Sequence, residues 1–209
     1  MSGISQRAKP PKTSRPRLSA PARRLHLVEA AARLIEVQGF LPPAMELVAR
    51  GAGVSKALVY QHFPDALDLC DAVLEAELDD LEAGGLEAST PPQALEAAAL
   101  AAADIYFEHV ARRGPVLHVI YRDPVMRDRL SARARRLRDR VLGGLARRLR
   151  RGAGLDARRA VGAVSLMLTI PEEAGRLVRQ DRLSKARGRL LCRELLSGAL
   201  EAVVEQPRA

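Results

Sequence analysis

Hydrogen-bonding side chains are concentrated in residues 53–63, GVSKALVYQHF. Hydroxyl, ammonium, amide and imidazole groups of this kind suit phosphate oxygens and the edges of nucleic-acid bases. They belong to Ser55, Lys56, Tyr60, Gln61 and His62. No glycine-rich phosphate loop, metal-ligand cluster or nucleophile–base arrangement stands out in the sequence. We therefore expect a binding protein rather than an enzyme, with no catalytic residue, no metal and no cofactor.

Two short helices joined by a tight turn must position these groups. The sequence predicts one helix over residues 44–50 and a second over 55–62. Ala49 is small enough for the helices to touch, Gly53 lies in the turn, and Val59 points back into a three-helix core. This spacing is typical of a helix-turn-helix, whose second helix enters the major groove of DNA.

Residues 24–74 resemble the DNA-binding region of the tetracycline-repressor (TetR) family. The residues that carry the resemblance are Ala30, Ala31, Leu34, Gly39, Phe40, Val48, Ala49, Ala52, Gly53, Val54, Ser55, Tyr60, Gln61, His62, Phe63 and Leu69. The resemblance implies an all-α protein with an N-terminal three-helix helix-turn-helix DNA-binding domain. A C-terminal helical domain for ligand binding and dimerisation would follow it. The rest of the chain is similar to the family only in being helical.

The resemblance also implies roles within the second helix of the motif. The expected contacts to the DNA backbone are Ser55, Tyr60 and His62. The residues expected to face base edges are Lys56, Ala57, Leu58 and Gln61. Backbone contacts position a protein, whereas base contacts specify the sequence that it binds. Gln61 suits adenine, and Leu58 suits the methyl group of thymine.

The chain departs from the family pattern at the start of two helices. Pro43 and Ala44 stand where the family usually has a hydroxyl residue that caps the second helix and contacts phosphate. Ala66 stands where the fourth helix usually carries a lysine, and Asp65 before it repels phosphate. We expect a basic N-terminal arm to compensate for the affinity that these changes remove.

The net charge of +9 is concentrated at the N-terminus. Residues 1–28 hold seven basic residues and no acid, so the other 181 residues carry only +2. Residues 1–20 are rich in Pro, Ser, Lys and Arg and lack apolar periodicity, which predicts a disordered basic arm. The candidate contacts to the DNA backbone in this region are Arg15 and Arg17 of the arm and Arg23 and Arg24, which follow it. A solubilising tail is the alternative interpretation.

The composition predicts an all-α protein, because helix-favouring Ala, Leu, Arg and Glu are plentiful while β-branched and aromatic residues are scarce. We divide the chain into the arm, a DNA-binding domain over residues 21–66 and a helical domain over 67–209. No apolar run reaches the length of a membrane span, and no apolar segment follows the basic N-terminus. Cys70 and Cys192 indicate neither a disulfide framework nor a metal site. We expect a cytoplasmic protein without a membrane partner.

Apolar periodicity and capping residues predict the remaining helices. They are expected at about residues 22–38, 65–81, 93–112, 115–121, 124–151, 156–180 and 184–204. Residues 160–170 are apolar on nearly every side, which predicts a segment buried all round, and Pro171 must kink or restart its helix. The twelve arginines of residues 122–151 are expected to pair with the acidic segment 65–108 and otherwise to face solvent.

A single helix-turn-helix contacts only a few base pairs, so such proteins usually pair. In the TetR family the last two helices form a four-helix interface with a second subunit. The candidate interface residues here are Cys192, Leu195, Leu196, Ala199 and Val203. Packing of this stripe inside its own domain is the alternative.

Three of the six aromatic residues lie together in residues 106–121, close to two histidines. Ligand sites are mostly apolar and aromatic with a few polar groups, so this segment is a candidate pocket. The candidate lining residues are Tyr106, Phe107, His109, His118, Tyr121, Met126, Met167, Thr169 and Glu172. Each residue taken alone is more often a core residue, but we expect some of the group to line a pocket.

The expected function is that of a homodimeric, ligand-responsive transcriptional regulator. Its partners would be double-stranded DNA at a palindromic operator and a small-molecule effector, and repression is the usual outcome in the family. Two alternatives remain. One is a DNA-binding or architectural protein without an effector, and the other is a helical small-molecule carrier whose helix-turn-helix is degenerate.

Overall fold

The computed structural model describes residues 18–86 and 94–205, and over these ranges it contains eleven α-helices and no β-strand. In chain order they are α1 Ala20–Gln38, α2 Met45–Gly51, α3 Lys56–His62, α4 Ala66–Ala83, α5 Leu95–Arg113, α6 Val116–Arg122, α7 Pro124–Arg129, α8 Ala132–Ala153, α9 Ala157–Met167, α10 Thr169–Arg179 and α11 Lys185–Val204. The all-α fold is confirmed. Residues 1–17 of the expected arm lie outside the described residues.

Local capping explains why the helices of the N-terminal unit begin and end where the sequence predicts. The hydroxyl of Ser19 accepts a hydrogen bond from a backbone N–H three residues later, at 3.4 Å. Gly39 ends α1 in the left-handed conformation with φ of 71°, which glycine adopts without strain. Ser55 caps α3 by accepting from the N–H of Leu58 at 3.3 Å.

Two long helices of the prediction are each interrupted once. The expected helix 124–151 is divided into α7 and α8, because the hydroxyl of Ser131 caps a new helix start. The expected helix 156–180 is divided into α9 and α10 at Leu168. Pro171 has no N–H to bond to the carbonyl four residues earlier, which favours an interruption at this place.

Two hydrophobic cores lie along the chain. The first joins α1 to α4 with α6, α7 and the start of α8, and the second joins α5, the end of α8 and α9 to α11. Leu27, Val48 and Val59 are fully buried in the first core, as the helix-turn-helix spacing requires. The predicted domain boundary at residues 66/67 falls in the first turn of α4, whose apolar face continues this core.

The acidic face of α4 pairs with arginines from α7 and α8, as predicted. Arg129 Nη2 lies 3.3 Å from Asp68 and 2.9 Å from Asp71. Arg133 contacts three further carboxylates of α4 at 2.6 to 2.8 Å. These pairs are partly exposed, so each contributes little to stability, but together they attach α7 and α8 to α4.

Residues 160–170 are not buried all round, and that prediction is wrong. Ala160 and Val164 face the second core, whereas Val161 is 57% exposed and Leu166 is 72% exposed. Within residues 18–86 and 94–205, α9 has neighbours on one side alone, so its other apolar side is exposed there. Among the described residues, no helix combines the length and apolar character needed to cross a membrane.

Candidate DNA-binding surface and effector cavity

Helix α3 presents a polar face away from the core. Lys56, Ala57, Tyr60 and Gln61 are exposed, whereas Val59 on the opposite face is fully buried. The four exposed residues lie at i, i+1, i+4 and i+5, which places them on one side of the helix. This side can offer ammonium, phenol and amide groups together to a groove in DNA.

The other three predicted DNA contacts flank this face. Ser55 is exposed at the start of α3, and Leu58 and His62 are half-buried. Leu58 therefore faces outward less fully than the sequence suggests. Tyr60 is 44% exposed, and Lys56 Nζ lies 5.9 Å from the centre of its ring. The phenol is thus held at the surface beside a cation, not in the core.

Two arginines that the sequence groups with the N-terminal arm belong to α1. Arg23 and Arg24 lie in the first turns of that helix. The guanidinium carbon of Arg24 lies 4.4 Å from the ring centre of Phe63, which is itself 1% exposed at the end of α3. This contact orients Arg24 beside the α3 terminus. Arg15 and Arg17 lie outside the described residues.

The departures from the family pattern have local structural consequences. Ala44 stands before α2 and makes no side-chain capping bond. Asp65 caps α4, because its carboxylate accepts from the N–H groups of Leu67 and Asp68, each at 2.8 Å. The carboxylate of Asp65 therefore stabilises the start of α4.

A cavity of about 330 Å³ lies in the helical domain, bounded by α4, α5, α6 and α8 to α11. Its walls are mainly aliphatic. Representative wall residues are Leu78, Leu81, Leu142, Leu145, Val164 and Leu196. The volume is at the lower end of the range for small-molecule sites, and the apolar lining is typical of them.

The polar groups of the cavity gather around Glu172. Tyr106 Oη donates to Glu172 Oε2 at 3.3 Å, and His118 Nδ1 lies 2.6 Å from the same oxygen. Arg122 Nη1 lies 3.2 Å from His118 Nε2. A guanidinium can only donate, so Nε2 is the acceptor and Nδ1 carries the proton that His118 donates to Glu172. In this arrangement Glu172 accepts hydrogen bonds from both Tyr106 and His118.

The two phenols of the cavity remain protonated at neutral pH. Burial, reinforced by the charge of Glu172 and the hydrogen bond to it, raises the pKa of Tyr106 far above its ordinary value. Burial raises the pKa of Tyr121 to about 12. Its hydroxyl lies 3.5 Å from the carbonyl oxygen of Ala134. A ligand entering the cavity therefore meets neutral phenols beside one carboxylate.

Six of the nine predicted pocket residues line this cavity, and they come from α5, α6, α9 and α10. They are Tyr106, His118, Tyr121, Met167, Thr169 and Glu172. The structure thus brings together residues that are up to 66 positions apart in the chain.

Phe107, His109 and Met126 lie elsewhere, which corrects the predicted set. Phe107 follows Tyr106 by one position, a rotation of about 100° on a helix, and is fully buried against α11. His109 points towards α4, where its Nδ1 lies 2.8 Å from Asp80 Oδ2. Met126 is fully buried in the first core.

Sequence reasoning missed Arg122, Arg138 and most of the aliphatic wall. Arg138 is one of many arginines in α8, and its spacing does not distinguish it from those that face solvent. The leucines of the wall have the same helical periodicity as residues of a packed core. No signal in the sequence separates the two groups.

The candidate dimer-interface residues of α11 lie on two different sides of the helix. Cys192 and Leu196 are 1% and 3% exposed and pack inside the chain's own core, so they are removed from the candidates. Leu195 is 59% exposed, while Ala199 and Val203 are half-buried. Sequence reasoning missed the exposed apolar residues of α9, a helix that packs against α11.

The chain is similar in sequence to known bacterial regulatory proteins. The family profile "Bacterial regulatory proteins, tetR family" matches residues 27–73, which run from α1 into α4. The HTH-type transcriptional activator FasR of Mycolicibacterium smegmatis is 28% identical over 168 residues, 79% of this chain and 77% of that protein. The HTH-type transcriptional regulator BetI of Rhizobium meliloti is 36% identical over 132 residues, 60% of this chain and 65% of that protein.

Solved structures share the fold over most of the chain. A TetR-like regulator from Rhodococcus sp. RHA1 superposes with a TM-score of 0.65 at 17% identity, covering 91% of this chain and all of that one. FadR of Bacillus subtilis, solved with stearoyl-CoA, has a TM-score of 0.57 at 18% identity and covers 88% of this chain and 99% of its own. LfrR of Mycobacterium smegmatis, solved with proflavine, has a TM-score of 0.57 at 15% identity and covers 91% of this chain and 99% of its own.

The N-terminal unit has the three helices, the turn and the outward polar face of a helix-turn-helix. The profile matches this same unit, and the curated relatives are helix-turn-helix transcription regulators. The N-terminal unit therefore belongs to the TetR family of bacterial regulatory proteins, and the chain as a whole is similar to helix-turn-helix transcription regulators.

Proposed function

We propose that this chain is a cytoplasmic repressor that binds a palindromic operator as a homodimer and is released from it by a small-molecule effector. The observation that carries the proposal is an aliphatic cavity of about 330 Å³ in a chain that also has an exposed polar face on α3. An architectural protein needs no such cavity, and a carrier needs no such face.

DNA binding is assigned to the exposed face of α3. In this proposal Ser55 and Tyr60 contact phosphates, and Lys56 and Gln61 contact base edges. Glutamine pairs with adenine through two hydrogen bonds, and lysine donates to guanine. Two copies of α3, one from each subunit, would occupy successive major grooves of the operator.

The proposed effector has an alkyl body and a polar group. The cavity wall is mainly leucine, valine and alanine, which favours an alkyl chain over a flat aromatic cation. Its polar group would donate a hydrogen bond to Glu172 or accept one from Tyr106 or His118, with Arg122 and Arg138 nearby for a negative charge. The ligands of FadR and LfrR represent these two chemistries, and we assign this chain to the alkyl class.

The proposed dimer surface is the uncovered apolar side of α9 and α11. Val161 and Leu166 on α9 and Leu190 and Leu195 on α11 are each more than half exposed. Exposed apolar side chains that cluster on one region of a monomer often mark an interface. A second copy of the chain would cover them with the same surface in a two-fold arrangement.

Effector binding must act through a difference in affinity for two states of the dimer. In one state the spacing of the two α3 helices fits successive grooves, and in the other it does not. FasR is a transcriptional activator and BetI a transcriptional regulator, so similarity to these relatives does not decide the direction of regulation. We assign repression because a dimer that occupies a promoter and is released by its ligand blocks transcription directly.

The test is selection of bound fragments from random duplex DNA by the purified chain, at about 150 mM salt because the affinity depends strongly on salt. The matched variants are Gln61→Ala on α3 and Arg182→Ala, an exposed residue outside the DNA-binding unit. Recovery of a palindrome by the wild type and by Arg182→Ala, but of a relaxed sequence by Gln61→Ala, supports the proposal.

Two outcomes contradict it. Recovery of no preferred sequence by the wild type leaves the carrier interpretation, in which α3 keeps its shape without its DNA-binding role. A palindrome that is bound equally tightly with and without alkyl compounds leaves the effector-independent interpretation. A reporter gene placed behind the selected palindrome then distinguishes repression from activation.

A further inference from the structure

Charged side chains occupy the boundary between the DNA-binding unit and the effector domain, and none of them lines the cavity. We call this group the charged joint and define it by Glu29 and Glu36 of α1, Glu77 of α4, Arg113 of α5 and Arg179 of α10. Glu77 is fully buried, and the side chain of Arg113 is 18% exposed. Charges that are this well buried and paired have restricted geometry.

Arg113 connects α5 to both α4 and α1. Its Nε lies 3.0 Å from each carboxylate oxygen of Glu77, and its Nη2 lies 2.7 Å from Oε1. The same guanidinium donates from Nη1 and Nη2 to Glu29 Oε1, at 3.2 Å each. One side chain of the effector domain thus holds α1 of the DNA-binding unit.

Arg179 makes a second connection to α1 from α10. It forms a two-pronged contact with Glu36, in which Nη2 lies 2.7 Å from Oε2. Its Nη1 donates to the backbone carbonyl of Arg112 at 2.6 Å. The backbone of Gly114 leaves room for Glu36, because a Cβ atom there would lie 2.6 Å from Glu36 Cδ. Glu36 is thus enclosed between the ends of α5 and α10.

The spacing of these residues links the charged joint to the cavity. Arg113 follows Tyr106 by seven residues on α5, and Arg179 follows Glu172 by seven residues on α10. Seven residues are two helical turns, or about 10 Å. Tyr106 and Glu172 are bonded to each other at the cavity. Each helix therefore carries a cavity residue at one point and an anchor to α1 two turns further on.

Helices α5 and α10 are closely packed between the cavity and the charged joint. A Cβ atom on Gly175 would lie 2.8 Å from Val110 Cβ and 2.9 Å from the carbonyl oxygen of Phe107. Gly175 lies between Glu172 and Arg179, so the backbones touch midway between the cavity and the joint. Well-packed helices have discrete arrangements and do not deform continuously, so a shift at one end reaches the other.

We propose that Arg113 and Arg179 are the coupling residues that transmit effector binding at Tyr106 and Glu172 to α1, through Glu29 and Glu36. An effector that inserts a polar group between Tyr106 and Glu172 displaces the α5–α10 pair. The guanidinium forks then pull on two carboxylates seven residues apart on α1, which turns the DNA-binding unit as a whole. This inference rests on the proposed function, because it requires an effector in the cavity.

The test removes both α1 carboxylates of the charged joint in one double variant, Glu29→Ala combined with Glu36→Ala. Arg113 keeps its bonds to Glu77, and Arg179 keeps its bond to the carbonyl oxygen of Arg112, so neither guanidinium is left without a hydrogen-bond partner. The matched control is Glu173→Ala, which removes an exposed carboxylate that pairs with Arg176 on the same helix and does not reach α1. The probe is 11-(dansylamino)undecanoic acid, an alkyl compound whose fluorescence reports its binding. Thermal unfolding verifies that each variant is folded.

Two quantities are measured for each protein. One is the ratio of operator dissociation constants with and without the probe, and the other is the change in hydrogen exchange of α1 amides when the probe binds. The wild type and Glu173→Ala should show an operator ratio of about fivefold or more, within the usual range of coupling, and a change in α1 exchange. The double variant should bind the probe with unchanged affinity, lose the α1 change and have a ratio near one.

Coupling through the joint is overturned if the double variant keeps the wild-type ratio and the α1 exchange change. Arg113→Lys provides a second variant, because an ammonium group cannot reproduce the guanidinium fork between Glu77 and Glu29. It should reduce the ratio without abolishing probe binding, and an unreduced ratio contradicts the proposal. The exchange measurement needs no operator, so a failure of coupling is distinguishable from a failure of DNA binding.

Discussion

Tyr106 and Glu172 lie 66 positions apart in the chain and meet at the polar end of the cavity, where the phenol donates a 3.3 Å hydrogen bond to the carboxylate. The bond joins α5 to α10 at the polar end of the cavity, where an effector would insert its polar group between the two side chains. His118 donates to the same oxygen, so Glu172 has two partners before any ligand arrives. A ligand that binds here must compensate for at least one of these bonds.

Removing the Tyr106 hydroxyl should destabilise the chain. Tyr106→Phe deletes a buried hydrogen bond to a carboxylate, and we expect the free energy of unfolding to fall by about 1 to 2 kcal/mol. Tyr121→Phe is the matched control, because its hydroxyl makes only a 3.5 Å contact with a carbonyl oxygen. Urea unfolding at neutral pH measures both. Equal losses of unfolding free energy in the two variants would show that the hydrogen bond to Glu172 stabilises the chain no more than the contact of Tyr121 does.

The stability of the chain at acidic pH should depend on Glu77. Burial alone would raise the pKa of Glu77, but hydrogen bonds with His109 and Arg113 outweigh burial and hold the pKa below its ordinary value. The folded state therefore binds fewer protons than the unfolded state. This contribution to stability is present above the unfolded pKa and is lost as the pH falls through the folded pKa.

Denaturant unfolding between about pH 6 and pH 3 measures this contribution. The wild type should lose more stability over this range than Glu77→Gln, which is less stable at neutral pH but has no carboxyl at this position to titrate. Asp79→Asn, at an exposed position on the same helix, should keep the wild-type slope. Parallel curves for the wild type and Glu77→Gln would contradict the prediction.

Gln61 should determine which base is preferred at one position of each operator half-site. Gln61→Ala should reduce discrimination there by about 1 to 3 kcal/mol. Tyr60→Phe should instead weaken binding to all sequences alike, because it removes a phosphate contact. Affinities for operators with single base-pair changes measure both effects. If Gln61→Ala weakens binding to all operator variants equally, Gln61 contacts the DNA backbone and not a base edge.

The basic N-terminus should contribute to the salt dependence of binding. Deletion of residues 2–17 removes five basic residues and leaves Ser19 to cap α1. We expect a lower operator affinity and a shallower slope of log K against log salt, since each phosphate contact contributes about 0.9 to that slope. Titrations at several salt concentrations measure it. An unchanged slope would leave the segment as a solubilising tail.

The exposed leucines of the last helices should hold two subunits together. Leu195→Arg combined with Leu166→Arg places charges on the proposed interface and should produce a monomer. Val37→Arg is the control, because Val37 is 84% exposed on α1, outside that surface. Light scattering after gel filtration measures the mass. A dimer that survives the double substitution would place the interface elsewhere.

Helix type, helix ends and the helix-turn-helix could be predicted from the sequence because they depend on neighbours a few positions apart. Ser55 caps α3 through an N–H three residues later, and Gly39 ends α1 through its own backbone freedom. Ala49, Gly53 and Val59 lie within eleven positions of one another. Such interactions are complete within a short segment, so its pattern is sufficient to predict them.

The roles of residues with more distant partners depended on the tertiary structure. Phe107 and Tyr106 are adjacent aromatic residues, yet one packs against α11 and the other lines the cavity. Val161 and Leu166 have the periodicity of a buried helix but are exposed, because none of the eleven described helices covers that side. Arg113 is one arginine among 34 basic residues, and its position between Glu77 and Glu29 depends on how α1, α4 and α5 pack. A one-dimensional pattern specifies which side of a helix is apolar, whereas only packing in three dimensions decides what that side meets.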